Sequence, residues 1–292
     1  MRSTALLTAT YILALAGVFA ILGYSAAAPE LAQAQGLYQG TRYRASLDLL
    51  LHANAKDPQV LRLMGQNYFM LGDFKKAAEV FEQAAKMNPE DAESALWAGR
   101  AFGRRAETSG PFTAPGYASK ARQYLEKAVA LDPSNREAAG DLFDYYIDAP
   151  SFLGGGEKRA EALAARVAER DPAEGHYYQA QLADRHKEYD TAEQHFRKAL
   201  DLAPRQAGRF LDLAKFLAGR GSAKESEALF DEATKLAPAN PKILYERARA
   251  YIHGGRNLIE ARKLLEQYIK SPLTPADPPR AEAQALLNKI GS

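Results

Sequence analysis

Small and large apolar residues recur along this chain at offsets of 0, 4 and 7, the spacing of one helix face. The sets read Ser46, Leu50, Ala53; Ala77, Phe81, Ala84; Ala121, Leu125, Ala128; Ala192, Phe196, Ala199; and Ser226, Phe230, Ala233. Ala160 and Val167 continue the pattern between them, with Ala164 at the large position and Leu163 as its substitute. In the last stretch the pattern slips by one, to Ala261, Leu265 and Tyr268. A proline follows each set: Pro58, Pro89, Pro133, Pro172, Pro204, Pro238 and Pro272, at spacings of 31, 44, 39, 32, 34 and 34 residues. Each proline is read as closing a helix.

A second pattern lies upstream in each unit. Gly65 with Tyr68, Gly99 with Phe102, Ala214 with Leu217, and Ala248 with Tyr251 pair a small residue with a bulky one three positions on. Turn signals separate the two patterns: Gly72-Asp73, Gly219 to Gly221, and Gly254-Gly255. The expected unit is therefore two helices, with small residues where they approach closely and a large one filling the gap. A period near 34 residues built this way predicts a solenoid whose units bury their apolar faces against their neighbours. An ordinary helical bundle has no reason to repeat prolines at this interval.

The second unit shows the pattern best, as Met64-Gly65, Tyr68, Gly72-Asp73-Phe74, Ala77-Ala78, Phe81, Ala84-Ala85 and Pro89. It resembles the tetratricopeptide repeat family, and the resemblance covers roughly residues 30 to 275 as about seven units. It implies an all-α chain folded as a right-handed α-solenoid of helix-turn-helix repeats, here expected over residues 29–275. In that family the first helices line a concave groove that binds a protein or peptide partner. The matching positions here are Arg62, Gln66 and Phe69; Leu96, Arg100 and Arg104; Asp144 and Asp148; Tyr177, Gln181 and Arg185; Lys215; and Tyr245 and Arg249. Their mixed charge and aromatic character suits an extended peptide or a helix. The Lys, Asn and Arg set with which some members grip a C-terminal carboxylate is not reproduced at these positions.

Two units are longer than the rest. About ten extra residues fall around Arg104 to Ser119, and about five around Asp148 to Glu157. Both lie between the first and second helix, and each offers a Phe, Phe112 and Phe152, between Pro and Gly. Loops projecting from one edge of a repeat array are expected to sit side by side as a lip; two tolerated surface loops are the alternative. Gly154 to Gly156 lack the phosphate-loop pattern and read as a plain turn.

Both ends of the chain differ from the repeats. Arg2 precedes an apolar run from Ala5 to Tyr24, with no charged residue before Glu30. Two readings of residues 1–28 stand: a signal peptide cut near Ala26-Ala27-Ala28 or Ala32-Gln33-Ala34, or a retained membrane anchor through residues 5–24. Either would leave the repeats outside the cytoplasm, periplasmic or secreted in the first case and membrane-anchored in the second. At the other end, residues 276–292 read as a capping helix with Ala283, Leu286, Leu287 and Ile290 on one stripe.

Composition narrows the chemistry. A formal net charge of +2, with no basic run, argues against nucleic-acid binding by phosphate neutralisation. The absence of cysteine removes disulfides, thiolate metal sites and cysteine nucleophiles. The five histidines show no metal-ligand spacing, and Asp141, Asp144 and Asp148 read as a solvated acidic stripe. Trp97, Tyr145, Tyr146 and Tyr178 read as packing aromatics. No catalytic group, metal or cofactor is expected. The expected function is a non-catalytic, exported scaffold for a protein partner, with a glycan- or lipid-handling accessory of envelope biogenesis as the alternative; the oligomeric state is left open.

Overall fold

The computed structural model describes residues 29–53 and 57–291. The expected export or anchor segment lies outside the described residues. Among these the chain forms fifteen α-helices, one short 3-10 turn and no strand. Fourteen of the helices make seven antiparallel pairs. In order these are α1 (Pro29–Gln39) with α2 (Tyr43–Leu50), α3 (Pro58–Met70) with α4 (Phe74–Met87), α5 (Ala92–Thr108) with α6 (Ala114–Leu131), and α7 (Arg136–Asp148) with α8 (Glu157–Ala168). Then come α9 (Pro172–Arg185) with α10 (Tyr189–Leu202), α11 (Ala207–Gly219) with α12 (Ala223–Leu236), α13 (Pro241–His253) with α14 (Leu258–Lys270), and the single α15 (Arg280–Gly291). Each helix packs on its predecessor and successor, giving an α-solenoid. Among the described residues no helix is long and apolar enough to cross a membrane.

Short polar residues start most first helices. Asp57, Asp91, Asn135, Asp171 and Asn240 each accept a backbone N–H of the first turn, satisfying a donor that has no partner within the helix. The prolines act at the same junctions, but not all as expected. Pro58 and Pro172 do not close a helix; with Pro241 they open one. A ring without N–H costs nothing there and its fixed φ suits the first turn.

The two sequence patterns turn out to be halves of one contact. A Cβ at Gly65 would lie 2.7 Å from the ring of Phe81, and one at Gly99 would lie 2.7 Å from Leu125. The small residue of a first helix thus makes room for the large residue of its partner helix. Where serine replaces alanine on the second helix, it bonds across the same gap. Ser46 Oγ donates to the Ala34 carbonyl and Ser226 Oγ to that of Ala214, both at 2.8 Å. Asn67 extends the first of these links, donating to Ser46 Oγ at 2.9 Å. In the fourth unit both Leu163 and Ala164 are buried.

The core is a string of apolar clusters, each spanning a junction between units. Leu31, Tyr38, Leu50 and Leu63 join the first pair to the second, and Phe81, Ala98 and Phe102 join the second to the third. At the far end Ala283 and Leu287 of α15 cover Tyr245, Leu265 and Tyr268, so the last helix does cap the stack.

The first long unit departs from expectation. Its extra residues do not form a loop over 104–119. They lengthen α5 and α6 to 17 and 18 residues, against 13 and 14 in α3 and α4. Helix-forming Ala, Arg and Glu fill the region, and only residues 109–113 link the two. The second insertion is a true loop, holding a 3-10 turn at Ser151–Leu153. Tyr145 Oη donates to the Leu153 carbonyl at 2.9 Å, and Gly155 comes so close to Ala149 that a Cβ would meet its oxygen at 1.9 Å. The turn reading of these glycines holds.

Candidate functional site

Towards both ends of the array first helices touch their counterparts in the next unit, α1 with α3, α3 with α5 and α11 with α13, and α13 touches α15; among the described residues no second helix makes a comparable contact with the second helix of the next unit. The first helices therefore line the inside of the curve and form a concave trough.

Most charged residues of this wall are engaged with the wall itself. Arg62 of α3 bonds Asp91 at the start of α5, at 2.9 Å. Arg100 of α5 reaches α7, bonding Asp141 at 2.5 Å and Glu137 at 2.8 Å. Asp148 of α7 pairs with Arg185 of α9 at 3.2 Å. Glu174 of α9 pairs with Arg209 of α11, both side chains being less than a tenth exposed. Tyr245 of α13 donates to Glu282 of α15 at 3.1 Å. Charged or polar stitches thus join consecutive first helices along most of the trough. Burial pushes the Asp141 carboxyl up even beside Arg100. Apart from the buried Glu174–Arg209 pair, these are partly exposed pairs, and each adds little stability.

This changes the standing of several expected contact residues. Arg62 and Arg100 hold neighbouring units together instead of standing open, whereas Asp148 and Arg185 pair across units and stay exposed. Arg104 pairs with Glu107 on its own helix and lies over the Phe74 ring at 5.0 Å. Leu96 is 1% exposed and belongs to the core, because it falls on the face of α5 turned to α6 and α7. Tyr245 is likewise buried, covered by α15, and burial with Glu282 beside it pushes its hydroxyl up to about 12. Phe69 packs edge-on against Phe74 and Trp97 at 5.3 and 5.5 Å. Tyr177 is half-buried beneath the Arg209 guanidinium at 4.8 Å. Arg249 makes one bond, to Glu246 at 3.3 Å, and Lys215 pairs with Asp212 at 3.6 Å.

Gln66, Gln181 and Asp144 remain accessible on the wall. Among the described residues no Lys or Arg pairs with Asp144. Desolvation in the trough, with Asp141 and Asp148 on either side along the helix, raises its pKa to about 6. Two hollows mark the ends of the wall. Arg62 and Gln66 line one of about 200 Å³ beside α1, with Leu31, Gln35 and Gln59. Arg249 and Tyr245 line one of about 730 Å³ beneath α15, with Lys242, Glu246, Pro279 and Glu282.

The two insertion phenylalanines are exposed, Phe112 at 98% and Phe152 at 80%. They do not form one level lip. Gly154 rests against Arg122, eight residues inside α6. That places the second loop about 12 Å along α6 from the first tip, at 1.5 Å per residue. The cause is the helix extension that carries Phe112 outward.

The aromatics read as packing are packing. Phe81 stacks on Trp97 at 5.8 Å and Phe143 on Tyr178 at 4.3 Å. Two histidines that spacing treated as unrelated meet: His176 Nδ1 and His195 Nδ1 are 2.9 Å apart across α9 and α10. Among the described residues no three His, Asp or Glu side chains converge as a metal site would need. The sequence offered no sign of the stitches by Glu137, Glu174, Arg209 or Glu282. Partners 35 to 41 residues apart become neighbours only once the turn lengths are known.

The family model for the tetratricopeptide repeat matches residues 58–91 and 173–206, and a second model of that repeat matches residues 211–279. These segments are the second and fifth helix pairs and the last two. No curated protein matches the sequence. Among solved structures, a tetratricopeptide repeat protein from Parabacteroides merdae is 13% identical, with a TM-score of 0.56 over 90% of this chain and 98% of that one. A thermophilic protein of the same repeat class from Thermus thermophilus is 22% identical, with a TM-score of 0.50 over 64% of this chain and 97% of that one. Human IFIT1, solved as a dimer with PPP-AAAA, is 18% identical, with a TM-score of 0.53 over 82% of this chain and 54% of that one. The paired helices, the trough they line and these matches lead to one conclusion: the chain carries tetratricopeptide repeats and folds as their solenoid.

Proposed function

We propose that this protein is a non-catalytic scaffold, exported from the cytoplasm, that holds an extended peptide or a helix of a protein partner in its concave trough. Repeats of this kind generally bind proteins. The observation that carries the reading here is Asp144, a carboxylate on a wall whose other charges are mostly paired. Desolvation and like charges hold it near 6, so a Lys or Arg side chain of a partner would relieve an existing electrostatic cost. Gln66 and Gln181 flank it along the trough as neutral hydrogen-bonding groups suited to a peptide backbone. The apolar run at residues 5–24 supports export, cut or retained.

The test is photo-crosslinking in the native host from Gln66 and Gln181, with Glu79 on a second helix as the outward control. Crosslinks to one or a few proteins from the trough positions alone, lost in Asp144→Lys, are expected. Equal capture from Glu79, or capture unchanged in Asp144→Lys, would reject the trough. Mass spectrometry of the mature N-terminus tests export: a start near residue 29 means cleavage, and residues 1–28 intact in the membrane fraction mean an anchor.

A further inference from the structure

We infer that the two ends of the solenoid latch to one another, Arg280 of the capping helix gripping Thr41 in the first turn, so that the array closes into a ring. The inference is independent of the partner-binding reading.

The turn between α1 and α2 carries the first observation. Its bonds, Arg42 N–H to the Leu37 carbonyl at 2.8 Å and Thr41 N–H to that of Tyr38 at 2.9 Å, make a helix-terminating motif that needs one left-handed residue. Glycine normally takes that place, and Gly40 stands one position too early. Thr41 takes it instead, at φ +56°. A β-branched residue is rarely found there, and such strain persists only where the surroundings hold it.

What meets Thr41 is 239 residues away: Arg280 Nη1 donates to Thr41 Oγ1 at 3.1 Å. The guanidinium is already fixed, because its Nε and Nη2 donate to the Ile269 and Ser271 carbonyls at 3.0 and 2.9 Å. The planar fork is therefore aimed across the gap by its own end of the chain, and little freedom is lost in making the last bond. Tyr43, two residues beyond Thr41, sits at the same junction: its hydroxyl is pushed up mainly by burial and feels the charges of Arg280 and Asp277.

The curvature needed for closure shows elsewhere on the wall. Arg136 at the start of α7 bonds Gln206 at the start of α11 at 3.1 Å and pairs with Asp171 between them at 2.5 Å. One side chain thus spans three consecutive first helices, which a gently curved array would not allow. In a closed ring the trough loses its open ends at this junction.

The chain has no cysteine, so two introduced ones can be labelled cleanly. Spin labels on Asp48→Cys and Gln284→Cys of the full chain, read by pulsed dipolar spectroscopy, report the gap. The parent and Thr41→Ser are expected to give one short, narrow distance. Thr41→Val, which keeps the shape and removes the acceptor, is expected to add a longer population and cut the closed-to-open ratio about threefold, as loss of one solvent-exposed hydrogen bond would. Thr41→Gly is the second variant: it removes the hydroxyl but relieves the backbone, so it opens the ring without unfolding the first unit. A broad distance in the parent overturns the closed ring. A narrow distance unchanged in both Thr41→Val and Thr41→Gly overturns the latch.

Discussion

The ring of Phe81 lies over the α-carbon of Gly65, so close that a Cβ there would come within 2.7 Å of it. One helix gives up a side chain so that its partner can insert one. Gly65→Ala is therefore expected to destabilise the protein by about 1–3 kcal/mol through overpacking, despite alanine's better helix propensity. Gly103 of α5 has nothing within 4 Å of a Cβ, and Gly103→Ala is expected to stabilise by about 0.5–1 kcal/mol. Urea unfolding of both variants checks the pair. A destabilised Gly103→Ala, or a neutral Gly65→Ala, would show that close approach does not explain these glycines.

Glu174 and Arg209 form the most buried of the stitches, and Asp212 at 3.2 Å is the second carboxylate on the same guanidinium. Removing Glu174 leaves Arg209 with Asp212 as its one remaining carboxylate. Glu174→Ala is expected to cost about 1–3 kcal/mol through the lost charge-assisted bond, and Arg209→Met to cost more, because it strips both Glu174 and Asp212 of their cation. A double-mutant cycle measures the coupling. Additive losses would mean that the pair does not act as a unit.

Asp144 gives stability a pH dependence of its own. Its pKa rises from 3.8 to about 6 on folding, through desolvation first and the neighbouring aspartates second. The folded chain binds that proton more readily than the unfolded chain. The contribution is full below 3.8 and is lost as pH rises through about 6. Asp144→Asn is expected to stabilise at about pH 7.5 and to do nothing at about pH 4. The gain should stay below about 1 kcal/mol, because the side chain still meets solvent. Thermal unfolding at the two pH values decides it. A loss at pH 7.5 would place a cation beside Asp144.

His195 works in the opposite direction. Burial first, and His176 second, hold its pKa below the usual 6.5. The unfolded chain then takes up the proton more readily, so stability is complete above about 6.5 and declines as pH falls through the folded value. His195→Gln is expected to flatten that decline between about pH 7 and pH 5 while leaving the fold at pH 7.5 intact. Identical pH profiles for the parent and His195→Gln would remove the histidine pair as a determinant of acid stability.

Helices, their pairing, the register of small against large residues and the capping role of α15 were all readable from the chain. Each follows from local periodicity and turn chemistry. Gly65 with Phe81, Ser226 with Phe230 and Asp277-Pro278-Pro279 announce their roles within a few dozen residues. Which wall residues stay open was not readable. Arg100 and Asp144 look alike in sequence, both charged and both on the inner face of a first helix. Only the turn lengths and the rotation between units bring Asp141 to Arg100 and leave Asp144 with no paired Lys or Arg among the described residues. The long unit misled for a related reason: Gly110, Pro111, Pro115 and Gly116 suggest a loop, yet packing against neighbouring units carries α6 back to Ala114. Closure lay furthest from view. A unit repeats its local contacts, but the sum of seven small rotations decides whether Thr41 meets Arg280, and no stretch of sequence encodes that sum by itself.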